Sequence, residues 1–96
     1  LTFQYITYIQ ENRVMYIKNT KVFLTQCESV FVNYIFTHSG NCNINDFTKY
    51  FSIIYGRVVS KKCVVVEINR LRRKVITQTG YDFLKSRYGY GYIIRY

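Results

Sequence analysis

The spacing of the apolar residues changes twice along this chain, and that change restricts the architectures open to it. In the N-terminal segment, residues 1–24, polar and apolar residues roughly alternate, as in strands buried on one face. In the middle segment, 25–76, apolar residues recur every three or four positions, as on one face of a helix. Alternation returns in the C-terminal segment, 81–96. The pattern predicts an α+β domain with strands at both ends.

Short polar turns divide the N-terminal segment into strands. Residues 10–12 and 18–20 are turn-like, and they separate runs rich in β-branched and aromatic residues. The predicted strands cover residues 2–9, 13–17 and 21–24. Because strands joined by such short turns pair antiparallel, we expect a small antiparallel meander.

Capping residues mark the helix boundaries of the middle segment. Thr25 and Glu28 form a T-x-x-E capping box at a helix start. Gly40 suits the left-handed conformation that ends a helix, and Ser60 can cap a later one. Three helices are therefore predicted, at about residues 26–38, 45–54 and 61–76.

Helical spacing also predicts which side chains are buried. In the first helix the apolar positions are Val30, Phe31, Tyr34 and Ile35. In the second helix they are Phe47, Tyr50, Phe51 and Ile54. Of the eleven tyrosines, Tyr5, Tyr34 and Tyr92 are expected in the core.

A hairpin is predicted after the helices. Glycines interrupt a turn at 88–91, between expected strands at 82–86 and 92–95. Three helices followed by a hairpin is the order of a winged helix-turn-helix. Residues 1–96 fit one domain in length. Since the chain begins with Leu1 rather than Met, we expect a piece of a longer protein.

The charge balance restricts the partners. Fourteen Lys and Arg residues stand against five Asp and Glu, a net charge of +9, which suits nucleic acid or an anionic membrane face. No apolar run approaches the length of a membrane span. Three cysteines without a C-x-x-C motif argue against a disulfide framework and favour a reducing cytoplasm.

The third predicted helix has two distinct faces. A helical wheel places a narrow apolar stripe toward the core: Val64, Ile68, Leu71 and Val75. The opposite face carries Lys62, Val66, Asn69 and Arg73, flanked by Cys63 and Arg70. Arginine can fork onto guanine, asparagine can pair with adenine, and valine can touch a thymine methyl. The mixture suits a major-groove reader, and the alternative is a solvated basic helix over a core.

Three further cations of this helix are possible phosphate contacts: Lys61, Arg72 and Lys74. Arg72 lies near the flank of the apolar stripe on the wheel. Its guanidinium is therefore expected either on a backbone phosphate or in an ion pair.

Several short motifs mark the three predicted helices and the hairpin. Thr25-x-x-Glu28 opens the first helix, and Tyr55-Gly56 closes the second. Val64–Val75 follows the pattern V-x-V-x-I-x-x-L-R-x-K-V, and Ser86–Tyr92 ends in G-x-G-Y. Together these motifs resemble the OmpR/PhoB-type winged-helix effector domains of bacterial response regulators and their ToxR-like relatives. The resemblance covers almost the whole chain.

The resemblance implies roles for individual residues. Three side chains would face bases: Cys63, Val66 and Arg70. Three others would lie near phosphates or the groove edge: Lys62, Asn69 and Arg73. The wing tip, Arg87 and Tyr88, would reach the adjacent minor groove, where the negative potential favours arginine. The family's wing arginine directly precedes the first glycine, whereas Arg87 stands one residue earlier, so its direction stays open.

The resemblance also implies partners. They are double-stranded DNA, bound sequence-specifically as a homodimer, and RNA polymerase, which some members contact through the loop that matches residues 55–61. In this chain that loop carries Arg57, Val58 and Val59, and an ordinary connecting loop is the alternative. The longer protein would then be a transcription regulator, with a receiver domain as in a two-component system, a membrane anchor, or neither. A winged helix used mainly for protein interaction is the alternative function.

The sequence does not favour metal binding, catalysis or phosphate binding by a glycine-rich loop. A metal site needs three or four ligands, and His38 with Cys42 supplies two. A cysteine nucleophile needs a base and an orienting group, and the chain has one histidine. Gly89-Tyr90-Gly91 precedes no helix and is expected to shape a turn rather than bind phosphate. The tyrosines could instead stack on single-stranded bases. We expect no enzyme, cofactor, metal or small-molecule ligand.

Overall fold

The computed structural model describes residues 2–3 and 5–95. Leu1, Gln4 and Tyr96, which the predicted segments include, lie outside the described residues. The strands are β1 (Thr2–Phe3), β2 (Ile6–Ile9), β3 (Val14–Ile17), β4 (Thr20–Phe23), β5 (Asn41–Asn43), β6 (Leu84–Arg87) and β7 (Gly91–Ile94). The helices are α1 (Gln26–Thr37), α2 (Ile44–Tyr55) and α3 (Lys61–Thr79).

The N-terminal segment forms the expected antiparallel meander, in the order β1-β2-β3-β4. The strand predicted at 2–9 is two strands, because the chain reverses between Phe3 and Ile6, which pair with each other. Alternate residues of β2 are buried, Ile6 and Tyr8, as a sheet with one covered face requires. Tyr5 is half-buried at the edge of the core rather than inside it, and its hydroxyl donates to the Arg95 carbonyl.

The hairpin predicted at the C-terminus is present as β6 and β7, but it belongs to a three-stranded sheet in the order β5-β7-β6. Cys42 of β5 lies opposite Tyr92 of β7. Two further backbone bonds fasten this sheet: the Ile44 N–H donates to the Tyr90 carbonyl, and the Ile94 N–H donates to the Gly40 carbonyl, both at 2.9 Å. The hairpin is therefore tied to the connection between α1 and α2.

The predicted caps form. The Thr25 hydroxyl accepts the Glu28 N–H, and the Glu28 carboxylate accepts the Thr25 N–H. The Ser60 hydroxyl accepts the Cys63 N–H at the start of α3. Helix α3 continues three residues beyond its predicted end, because its first left-handed stop is Gly80, with φ +76°.

The three helices pack around one apolar core with the two sheets. The predicted stripe of α3 is confirmed, since Val64, Ile68, Leu71 and Val75 are all buried. Of the apolar residues predicted to be buried in α1, Phe31, Tyr34 and Ile35 are buried and Val30 is half-buried. None of the helices in the described part of the chain has the length and apolar composition that crossing a bilayer requires.

The stripe predicted for α2 is only half right. Phe47 and Phe51 are buried, whereas Tyr50 and Ile54 are 37% and 45% exposed. Helix α2 therefore buries a narrow face and leaves apolar side chains in water. Ile53, at 78% exposure, adds to them.

Candidate nucleic-acid interface

Helix α3 presents one long face to solvent. The core stripe fixes the rotation of the helix, so residues about half a turn away point outward. Of the six side chains expected there, Asn69 is half-buried and the others are exposed: Lys62, Cys63, Val66, Arg70 and Arg73. The structure thus brings all six predicted residues of this helix onto one surface.

Ile76 extends this face by another turn and was missed by the sequence analysis. It is 40% exposed and lines a shallow depression with Asn69 and Arg73. The predicted helix ended at this residue, and neither of the two predicted faces included it. Its separation of seven residues from Asn69, almost two full turns, is the signal that could have placed it.

Arg72 is held inside the fold. Its guanidinium forms an ion pair with Asp82 at 2.8 Å and donates to the Ser86 hydroxyl and the Leu84 carbonyl. Of the two roles expected for Arg72, the ion pair is the one that the structure shows. The salt bridge joins α3 to the segment just before β6, the first strand of the wing.

Lys74 is also used within the fold. Its ammonium lies 2.8 Å from the Glu28 carboxylate, and both side chains are mostly buried. Glu28 at the same time caps α1 through the Thr25 N–H. We therefore correct the assignment of Arg72 and Lys74 from phosphate contacts to contacts that hold α3 on its neighbours.

Arg70 has a looser partner. Its guanidinium lies 3.1 Å from the Glu67 carboxylate one turn earlier, and the two side chains are 66% and 46% exposed. Exposed pairs of this kind contribute between about 0 and 1 kcal/mol. Such a weak pair leaves Arg70 able to exchange Glu67 for another acceptor.

The Arg72–Asp82 ion pair leads us to predict how the stability of the fold depends on pH. Hydrogen bonding and charge from Arg72, opposed by partial burial, lower the pKa of Asp82 from its ordinary value. A carboxyl with a lowered folded-state pKa stabilises the fold above its unfolded pKa, about 3.9, and loses that contribution as the pH falls through the folded value. In urea unfolding, the stability difference between wild type and Asp82→Asn should be largest near neutral pH and shrink below about pH 4. A difference that stays constant down to pH 2.5 would contradict this assignment.

The wing lines a cleft beside the exposed face of α3. The cleft has a volume of about 470 Å³, and its walls come from β6, the hairpin turn, and the first turns of α2 and α3. Lys61 and Val65 line it on the α3 side, Asn45 on the α2 side, and Arg87 on the wing side. Arg87 lines this cleft, and its guanidinium carbon lies 6.0 Å from the centre of the Tyr90 ring.

Tyr88 occupies the tip of the wing and is fully exposed. Gly89, the next residue, has φ +76°, which turns the chain back into β7. The two residues predicted for the wing contact are therefore adjacent in sequence, and both line the cleft. Tyr88 is in addition fully exposed at the tip.

The loop between α2 and α3 places its three predicted residues differently. Arg57 is exposed, Val58 is 94% exposed, and Val59 is half-buried, with its N–H bonded to the Ser52 hydroxyl. Val58 follows the exposed apolar side chains at the end of α2, Ile53 and Ile54. The exposure of Ile53 was not predicted. Its position outside the predicted apolar stripe of α2 is the signal that indicates an exposed side chain.

The cysteines and the histidine have local roles. Burial raises the pKa of the Cys42 thiol to about 12, and the Tyr55 hydroxyl donates to the Cys27 sulfur. His38 lies at the C-terminal end of α1, stacked on Tyr34 with ring centres 3.9 Å apart. Within residues 2–3 and 5–95, no group of three or more His, Cys, Asp or Glu side chains could hold a metal ion.

The arrangement defines a class of fold: a winged helix, with a basic helix exposed beside a hairpin. The chain is similar to the C-terminal domain of the nisin resistance regulator NsrR, a lantibiotic response regulator, with a TM-score of 0.77 and 20% identity over 98% of this chain and 95% of that one. The fold expected from the sequence resemblance is thereby confirmed. No protein-family model matches the sequence, and no curated protein matches it significantly.

Proposed function

We propose that this chain is a sequence-specific, double-stranded DNA-binding domain of a bacterial transcription regulator. Helix α3 would lie in the major groove and the wing would contact the adjacent minor groove. The observation that carries the proposal is the exposed face of α3, which combines cations, an amide and a small apolar side chain. The similarity in fold to a domain of a response regulator supports it.

The charge distribution favours an anionic partner at this face. Of the five acidic residues, three are engaged with cations: Glu28 with Lys74, Glu67 with Arg70, and Asp82 with Arg72 and Arg95. Lys62 and Arg73 are exposed on α3, and no ion pair within the described residues involves them. Such cations release condensed counterions when they meet phosphates, so binding is expected to weaken steeply with salt.

The proposal assigns different work to the two exposed arginines. Arg70 can leave its weak pair with Glu67 and fork onto a guanine, which is a base-specific contact. Arg73, farther along the helix, is assigned to a phosphate. Val66 and Asn69 precede them on the same face and would touch base edges, while Cys63 and Lys62 begin the contact at the N-terminal end.

Arg70→Ala is expected to cost roughly 1–3 kcal/mol of binding free energy and to relax preference at one base pair. Arg73→Ala should weaken binding to all sequences alike and reduce the slope of log affinity against log salt by about 0.9. The measurement is a titration of fluorescent duplexes that wild type selects from a random library, at several salt concentrations. Arg13→Ala is the matched control, because it removes one exposed cation from the turn between β2 and β3.

A second candidate function is a protein-interaction module, favoured by the exposed apolar side chains Ile53, Ile54 and Val58 next to Arg57. RNA polymerase or a second copy of the chain would be the partner. The same titration separates the candidates. If both arginine variants bound duplex DNA as tightly as wild type, the DNA-reading role of α3 would be wrong and this apolar surface would become the leading site.

A further inference from the structure

The wing carries two side chains, Arg87 and Tyr88, that both line the cleft beside α3. Tyr88 stands at the tip between β6 and β7, fully exposed. Among the described residues, no hydrogen bond, ion pair or ring contact engages its side chain. Aromatic side chains in water retain apolar surface that a binding partner can cover.

Arg87 lies one residue before the tip, in the last position of β6. It pairs in the ladder with Gly91, its guanidinium lies beside the Tyr90 ring, and it lines the cleft whose far wall includes Lys61. Two cations on the walls of one cleft repel each other in the free protein. An anionic group between them would relieve that repulsion, and a DNA phosphate is such a group.

We propose that the wing probes the minor groove with the ring of Tyr88, while Arg87 and Lys61 together hold a backbone phosphate in the cleft. The proposal rests on the proposed function, since it assumes that the partner is duplex DNA. It differs from the expectation drawn from the sequence, which placed both Arg87 and Tyr88 at the minor groove, because it assigns Arg87 to a phosphate instead.

The dimensions and chemistry of the groove fit this division. The minor groove is about 6 Å wide, which admits a flat ring entering edge-on. Its floor at A·T pairs carries only acceptors, to which the Tyr88 hydroxyl can donate, whereas a G·C pair adds an amino group that would meet the ring. Apolar side chains are used as wedges in the minor groove by proteins that bend DNA. The tip would therefore prefer A·T pairs by hydrogen bonding and shape.

The test alters only the minor-groove edge of base pairs in the DNA duplex. Replacing adenine by 2,6-diaminopurine adds an amino group on that side and leaves the major-groove edge unchanged. In a duplex selected by wild type from a random library, the substitution is made one pair at a time on either side of the α3 site. We expect about a 10-fold loss of affinity at one or two adjacent pairs, comparable with one mismatched pair.

The variants then assign that sensitivity to a side chain. Tyr88→Ala should bind the unmodified duplex about 10-fold more weakly and lose its sensitivity to diaminopurine. Tyr88→Phe, which retains the ring, should stay within about threefold of wild type and keep most of the sensitivity. Arg87→Ala and Lys61→Ala should keep the sensitivity, and together the two substitutions should lower the salt slope by about 0.9, the contribution of one phosphate. Lys85→Ala, on β6, is the control for loss of a wing cation.

Two results would overturn the proposal. One is a Tyr88→Ala variant that still discriminates against diaminopurine. The other is an Arg87→Ala variant that no longer does, which would return the groove contact to the arginine. Unchanged circular dichroism and melting temperature confirm that each variant is folded. Failure of the wild-type chain to select any duplex would count against the proposed function itself, and it is recorded before any variant is made.

Discussion

Gly91→Ala is expected to lower the free energy of unfolding by about 3 kcal/mol or more, from overpacking and backbone strain together. A Cβ atom at this position would lie 2.1 Å from the Cys42 carbonyl oxygen and 2.8 Å from the Ile44 nitrogen. Both are backbone atoms, so no side chain can move aside. The residue also has φ +152°, a conformation that other residues rarely adopt. Strand β5 would have to separate from β7.

Gly89→Ala is the matched control two residues earlier. Gly89 also has a positive φ, +76°, but a Cβ there meets nothing within 4 Å. Only the left-handed conformation is then penalised, by about 1–2 kcal/mol. Urea unfolding of both variants measures the difference, and amide hydrogen exchange of Asn41, Cys42 and Asn43 shows whether β5 has come loose. Equal destabilisation by the two alanines would show that close packing at β5 is unimportant.

Phe47→Ala is expected to destabilise the fold by about 3–5 kcal/mol. The Phe47 ring is almost completely buried and contacts Phe31 and Tyr34 of α1, with ring centres 5.4 and 4.9 Å away. It also lines, with Ile68 and Leu71 of α3, a void of only about 10 Å³. With surroundings this full, the space left by the ring would remain as a cavity.

Tyr50→Ala provides the comparison on the same helix. Tyr50 belongs to the same aromatic group, 6.3 Å from the Phe47 ring, but is 37% exposed. Its removal takes less surface out of the core and lets water fill the gap, so a cost of about 1 kcal/mol is expected, near the average for single substitutions. Thermal and urea unfolding measure both variants. A Phe47→Ala cost as small as that of Tyr50→Ala would mean that the core collapses around the missing ring.

The features that sequence predicted well depend on nearby residues. The capping box of Thr25 and Glu28, the cap at Ser60 and the buried stripe of α3 each follow from spacing within one or two helical turns. The same wheel placed the exposed face of α3 and left Arg72 at its flank. Local geometry is fixed by the chain itself, so a pattern of residue types is sufficient to predict it.

The features that sequence missed depend on distant residues. Strand β5 is three residues, Asn-Cys-Asn, with no propensity for a strand; it exists because β7 arrives beside it about fifty positions later. The partner of Lys74 is 46 positions away at Glu28. Helix α2 exposes Tyr50 and Ile54 because the neighbouring elements of the described chain cover that side only in part. The spacing of apolar residues along the sequence does not reveal tertiary contacts of this kind.

If the proposed function holds, the bonds between β5, the hairpin and the first turn of α2 have a mechanical consequence for a bound duplex. Because the Ile44 N–H donates to the Tyr90 carbonyl, the wing is fastened to the start of α2, and its spacing from α3 is set by the protein. A duplex whose grooves lie at another spacing would have to twist or bend to reach both. Sites with easily deformed pyrimidine–purine steps between the two contacts would then be favoured over stiff A-tracts, although no side chain touches those steps. Target choice would depend in part on the elasticity of the DNA.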